Sequence, residues 1–201
     1  MNSIDRGVIN FCLGTAIAVP IVYFGTQLVA SAFYPGYSFL QLSASMLGSP
    51  NSSHPAIFNA GAILTGAAMI TAGYGIFRSL LGKGVHPALC WLTLLAITAG
   101  GYMSIQAGIF PLPDPRHTAL GFLVIFLIAL PLILLLALWK QSDAAGTRAF
   151  LMACFLGVLL LAPVMSHPTL VPGASGLMQR IFACVTFFPL AAVGWKLCCS
   201  R

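Results

Sequence analysis

Apolar residues run almost unbroken along this chain, and polar residues collect in short gaps between the runs. Six runs, at 8–33, 56–80, 87–110, 118–139, 149–166 and 175–195, each approach or exceed the roughly 20 residues with which an α-helix crosses about 30 Å of hydrocarbon. The pattern predicts an all-α polytopic membrane protein, a single six-helix transmembrane domain over residues 1–201. No segment between the runs is long enough to hold a separate soluble domain. The first run follows Arg6 and contains Ala30-Ser31-Ala32, which looks like a signal cleavage site. Its apolar part outruns the roughly 7–15 residues of a signal's core, so it reads as a retained helix.

Charge sets the expected orientation. With the N-terminus inside, the inner segments carry Arg6, Arg78, Lys83, Lys140, Arg148, Lys196 and Arg201, and the outer ones only Arg116 and Arg180. Lysine and arginine accumulate on the cytoplasmic side, so both termini are expected there. Charged residues make up 6% of the chain against roughly 25% in soluble domains, which leaves too little polar surface for a soluble protein. The net charge of +6 is then a topology signal and no nucleic-acid footprint, although a basic inner rim also suits anionic lipid. Cys12, Cys90, Cys154, Cys198 and Cys199 fall toward the inner side and Cys184 inside helix 6, so no outer loop offers a disulfide framework. The pair Cys198-Cys199 reads as interfacial thiols, with acylation as the alternative.

Helix 3 repeats Ala96, Gly100, Ser104 and Gly108 every four residues, a small-residue face that lets a neighbouring backbone approach. Helix 2 offers Gly61, Thr65 and Gly73 in return, so the two are expected to pack as a tight hairpin. Pro20, Pro131, Pro163 and Pro189 fall inside helices and favour kinks. The longest outer connection, 34–55, is uncharged. Its stretch 38–47 has near-helical apolar spacing and predicts a short interfacial helix anchored by Tyr34 and Tyr37.

The outer link between helices 3 and 4 reads GIFPLPDPRH. Asp114 followed by Pro115 fits an N-cap with proline at the first position of helix 4. His54, His117 and His167 all fall at the outer surface with Asp114, Arg116 and Arg180, whereas His86 is inside. Ionisable groups at a membrane boundary need a partner or a task. The candidate ligand-binding set is His54, Asn59, Gln106, Asp114, Arg116, His117 and Arg180, in which the arginines clasp an anionic headgroup bidentately. Asn59 and Gln106, one turn deeper, would form a polar floor or bond each other. Alternatively His54, Asp114, His117 and His167 hold zinc, although no HxxxH or HExxH spacing occurs. The bland reading is that these side chains snorkel into water.

The segments SMLGSPNSSHPAIFNAG, GIFPLPDPRHTALGF and GLMQRIF resemble the six-helix family of domain of unknown function 998. Its pattern matches at Ser45, Leu47, Gly48, Phe58, Asn59, Gly108, Phe110, Pro111 and His117. A more distant likeness is to lipid-related proteins of the Frag1/DRAM/Sfk1 type. The resemblance implies a multi-pass protein of a bacterial or archaeal inner membrane and brings no established reaction. The expected function is binding or handling of a lipid or small amphipathic or anionic ligand in an outward-facing polar pocket. A membrane-embedded metal- or His/Asp-dependent hydrolase is the rival, and a structural or sensory subunit the third reading. Membrane lipid is the expected partner and nucleic acid is not; a protein partner or a homo-oligomer stays open. No nucleotide, flavin or haem motif occurs.

Overall fold

A computed structural model describes residues 3–200, so Arg201, one of the predicted inner cations, lies outside the described residues. Six long helices account for the predicted runs: α1 (Ser3–Ser31), α2 (Pro55–Gly82), α3 (Pro87–Ile109), α4 (Val124–Ala137), α5 (Ala145–Ser166) and α6 (Ser175–Cys199). With the short helical turns that lead into α4 and α5, all six spans are long and apolar enough to cross a membrane. Each helix packs on the next in sequence, and α6 returns to α1, which closes the bundle into a ring. Such a ring follows from short connections between neighbours of opposite direction. Two ends result. The short-loop end carries the start of α1, the end of α6 and the turns after α2 and α4; the long-loop end carries the other three connections.

The surface is apolar where a bilayer would touch it: Leu160, Phe11 and Phe122 are all at least 70% exposed. All three tryptophans, Trp91, Trp139 and Trp195, stand exposed near the short-loop end, the pattern of an interfacial aromatic belt. Pro20, Pro131, Pro163 and Pro189 lie inside α1, α4, α5 and α6 as expected.

The α2–α3 hairpin is tight, but not on the predicted register. The backbones meet at Gly66 and Gly101, where a Cβ on Gly66 would stand 2.3 Å from the Gly101 carbonyl oxygen. Ser104 Oγ donates to the Ala62 carbonyl at 2.7 Å, and a Cβ on Gly108 would come within 2.5 Å of the Asn59 carbonyl oxygen. So the Ser104 and Gly108 half of the predicted face does pack on α2. Gly100 differs: its open side meets Leu127 of α4 as well as Met69 of α2. Gly61, predicted to face α3, instead admits Thr26 of α1. The reason is rotation: residue 101 lies about 100° around the helix from residue 100, and α3 serves two neighbours.

Candidate functional site at the long-loop end

The connection between α1 and α2 folds over the bundle, and side chains of the helices grip its backbone. It forms no interfacial helix over 38–47. Instead Leu42 N–H turns back to the Ser38 carbonyl at 2.8 Å, and a 3-10 helix spans Ala44–Gly48. Ala44 and Leu47 are fully buried against Ala30, Phe58 and Ala62, which pulls this turn inward from the interface. Gln179 Oε1 accepts from Ala44 N–H at 2.7 Å, and Asn59 Nδ2 donates to the Gly48 carbonyl at 3.2 Å. Gly176 lets the loop cross α6, because a Cβ there would stand 2.3 Å from the Leu42 carbonyl oxygen.

Arg180 is the main grip and not the expected headgroup ligand. It is buried, and its Nη1 donates to the carbonyls of Phe39 at 2.8 Å, Leu42 at 3.0 Å and Gly176 at 2.8 Å. Its Nη2 donates to the Tyr37 hydroxyl, and the guanidinium lies 4.8 Å from the Phe39 ring centroid. The two ion pairs among the described residues are Arg116–Asp114 and Lys196–Asp143, so this buried cation is met by carbonyl dipoles and ring faces. Burial pushes the Tyr37 phenol above its ordinary value, and the charge of Arg180 opposes that rise. Such an arrangement turns Nη1 wholly to carbonyls and leaves the buried Nε and one N–H of Nη2 as the donors with no protein partner.

Asp114 caps, as predicted, but caps something shorter. Its carboxylate accepts from Arg116 N–H at 2.9 Å and starts a 3-10 turn, Pro115–Thr118. A second such turn, Gly121–Leu123, follows, and α4 begins only at Val124. Gly121 within this stretch disfavours continuous α-helix. The same carboxylate holds the Arg116 guanidinium at 3.0 and 2.7 Å, and the guanidinium stacks 4.1 Å from the Phe110 ring centroid. These bonds to Arg116, side chain first and backbone second, hold Asp114 down to about 2. The predicted pair of arginines does not form one clasp: Arg116 is exposed and paired locally, and Arg180 is buried in the loop.

The predicted zinc set is not brought together. The His54 ring sits edge-on against Phe33 at 4.8 Å, and His167 is the exposed C-cap of α5. Asp114 is committed to Arg116. Among the described residues no three His, Cys, Asp or Glu side chains group so as to hold a metal. Nor do Asn59 and Gln106 bond each other. Gln106 Nε2 donates to the Arg116 carbonyl at 2.6 Å, so each amide fastens a different loop.

His117 is placed between two elements. Its Nδ1 lies 2.8 Å from the Phe110 carbonyl oxygen and its Nε2 3.0 Å from Ser45 Oγ. Two adjacent cavities share Met103 and Ala107 of α3 as a common wall. One, of about 170 Å³, runs under the 3-10 helix past Ser45, Phe58, Leu127 and Phe187. The other, of about 210 Å³, is bounded by Gln106, His117, Thr118 and Leu120. The Ser45–His117 bond therefore stands where the two meet. Of the predicted ligand set, only Gln106 and His117 line this space. Ser45, Met103 and Ala107 are additions; Ser45 alone had a sequence signal, as one of the residues carrying the family resemblance.

A larger cavity, about 800 Å³, lies at the short-loop end between Lys83, His86, Trp139 and Lys140. Its polar groups do not converge on one point. Lys83 Nζ donates to the Ser200 carbonyl at 3.4 Å, and His86 Nδ1 accepts from Ala88 N–H as the cap of α3. The long-loop site is smaller but has a paired, oriented polar group on an apolar wall, which is the usual make-up of a ligand site.

The sequence profile of a family described as "Protein of unknown function (DUF998)" matches residues 16–196. The chain belongs to the DUF998 family. The match takes in every element that lines the two cavities, from Tyr23 on α1 to Phe187 on α6. No curated protein and no solved structure matches this DUF998 chain.

Proposed function

We propose that this DUF998 protein binds the acyl part of an amphipathic lipid in the paired cavities, at an end of the bundle that faces the outside of the cell membrane. The observation that carries the reading is the wall itself. Met103, Ala107, Leu127 and Phe187 are apolar; of the polar lining, Ser104 is turned to the Ala62 carbonyl, while Ser45 and His117 bond each other at the seam with Gln106 and Thr118 beside them. Together the two volumes fall at the lower end of ligand sites, roughly 300–1,000 Å³. They lie beside the outermost turns leading into α4, within a predicted membrane span, so lipid is the medium around them. Apolar chain favours such a wall, and an ester or headgroup favours the seam.

A diazirine-bearing acyl phospholipid in nanodiscs tests this. On illumination, cross-links should concentrate at Met103 and Ala107 over the plainly exposed Leu160 and Trp195, and Ala107→Phe should abolish them by filling the space. An even spread of cross-links over all exposed helices would sink the reading.

Orientation has its own test. Asn51 at the long-loop end and Ser142 at the short-loop end are both exposed. In a background with the exposed Cys198 and Cys199 replaced by serine, Asn51→Cys should react with an impermeant thiol reagent from outside intact cells. Ser142→Cys should react only after lysis. The reverse pattern would place the cavities toward the cytoplasm.

A further inference from the structure

We propose that Ser45 and His117 are a nucleophile and general base that cleave an acyl ester held in the paired cavities; this rests on the binding reading above. The chemistry follows from which atoms can donate. The Phe110 carbonyl oxygen, 2.8 Å from Nδ1, can only accept. In the neutral ring Nδ1 therefore carries the proton, and Nε2 presents its lone pair. At 3.0 Å from that lone pair, Ser45 Oγ is left as the donor. The serine hydroxyl thus points its proton at a base whose tautomer and ring plane are fixed by a third group, the arrangement that activates a hydroxyl nucleophile.

The placement fits the task. Ser45 lines one cavity and His117 the other, so an ester at the seam would lie against both. Ser45 sits on the 3-10 helix Ala44–Gly48, which Gln179 and Asn59 fasten at its two ends. His117 sits on the turn that Asp114 caps and Gln106 ties down. Both partners are held by neighbours, as a nucleophile and its base must be. Elsewhere among the described residues, serine and threonine hydroxyls mostly bond backbone carbonyls of their own helix, as Thr65 and Ser79 do.

The reaction balances with water as the only co-reactant. Ser45 Oγ attacks the ester carbonyl carbon, and as the new C–O bond forms its proton passes to Nε2. The imidazolium keeps its Nδ1–H on the Phe110 carbonyl. Collapse of the tetrahedral intermediate breaks the bond to the leaving oxygen, which takes the proton from Nε2 and departs as an alcohol. Water then gives a proton to Nε2 and attacks the acyl-serine, releasing the fatty acid and restoring the serine hydroxyl. A neutral carbonyl stabilises the imidazolium less than a carboxylate would, so slower turnover than in Ser-His-Asp enzymes is expected.

A fluorophosphonate tests the pair, because an activated serine oxygen displaces fluoride from its phosphorus and leaves a stable adduct. The purified protein in nanodiscs should acquire one adduct, located to Ser45 by peptide mass spectrometry and absent in Ser45→Ala. His117→Gln should slow labelling at least about a hundredfold, the usual loss with a general base. Its amide can still accept from Ser45 and donate to Phe110, so the thermal midpoint should stay near wild type and show that the variant is folded. Wild-type protein that cross-links the diazirine lipid at Met103 and Ala107 but carries no adduct on Ser45 overturns this inference and leaves the binding reading standing. Labelling of His117→Gln at the wild-type rate also overturns it. An adduct without cross-links overturns the lipid ester as substrate, and neither signal overturns both readings.

Discussion

Arg180→Ala is expected to release the long-loop end from the bundle. The guanidinium reaches two loop carbonyls, Phe39 and Leu42, one carbonyl of its own helix, Gly176, and the Tyr37 hydroxyl. In the variant the Phe39 carbonyl loses its side-chain donor, and the Leu42 carbonyl keeps only a 3.3 Å bond from the Tyr37 hydroxyl. Charge-assisted hydrogen bonds are worth about 1.5–3 kcal/mol each, so their loss together with the Tyr37 contact costs about 3 kcal/mol. Arg180→Lys should recover little. A single ammonium cannot fork between the Phe39 side and Tyr37, and it stacks less well on the rings at 4.8 and 5.6 Å. Limited proteolysis reads the result directly: cleavage should appear within 33–54 in both variants while the six spans stay protected. If the loop resists protease as in wild type, the clasp contributes nothing.

The second large effect is expected at Gly66. Valine there would drive a Cβ to within 2.3 Å of the Gly101 carbonyl oxygen and 2.7 Å of Ile105. The nearest atom belongs to backbone, so no side-chain rotation relieves it; the two helices must separate. Overpacking usually costs about 1–3 kcal/mol, and a backbone-against-backbone clash belongs at or beyond the top of that range. Displacement of α3 also carries Met103 and Ala107 with it, so lipid cross-linking should fall together with thermal stability. Gly25→Ala is the control. Nothing lies within 4 Å of its Cβ position, and alanine in a helix interior gains up to about 1 kcal/mol over glycine. Equal stability of the two variants would mean that α2 and α3 do not rely on this approach.

How much of this was legible beforehand depends on what kind of interaction did the work. The six spans were, because the length of an apolar run is a one-dimensional quantity that a membrane tests directly. The break before α4 was not, since hydropathy does not distinguish a 3-10 turn from an α-helix, and only Gly121 hinted at it. Spacing revealed that α3 has a small-residue face but not which residue meets which helix: Gly101 and Gly66 escaped notice beside Gly100. The loop-holding role of Arg180 is hidden for a plainer reason. An arginine near a membrane surface with no nearby carboxylate looks the same in sequence whether it will hold a headgroup or a loop carbonyl. The bond from His117 to Ser45 spans 72 positions, and each residue could be suspected alone, but nothing local joins them.

The grip on the long connection has one more consequence. Arg180, Gln179 and Asn59 all take hold of peptide groups, at Phe39, Leu42, Ala44 and Gly48. A fastening of that sort does not read the side chains at the exposed positions in between. Exposed positions such as Gln41 and Pro50 can then change identity freely while the path of the chain stays put. The molecule can alter the face it shows to its surroundings, and so evade or acquire contacts there, without rebuilding what lies beneath.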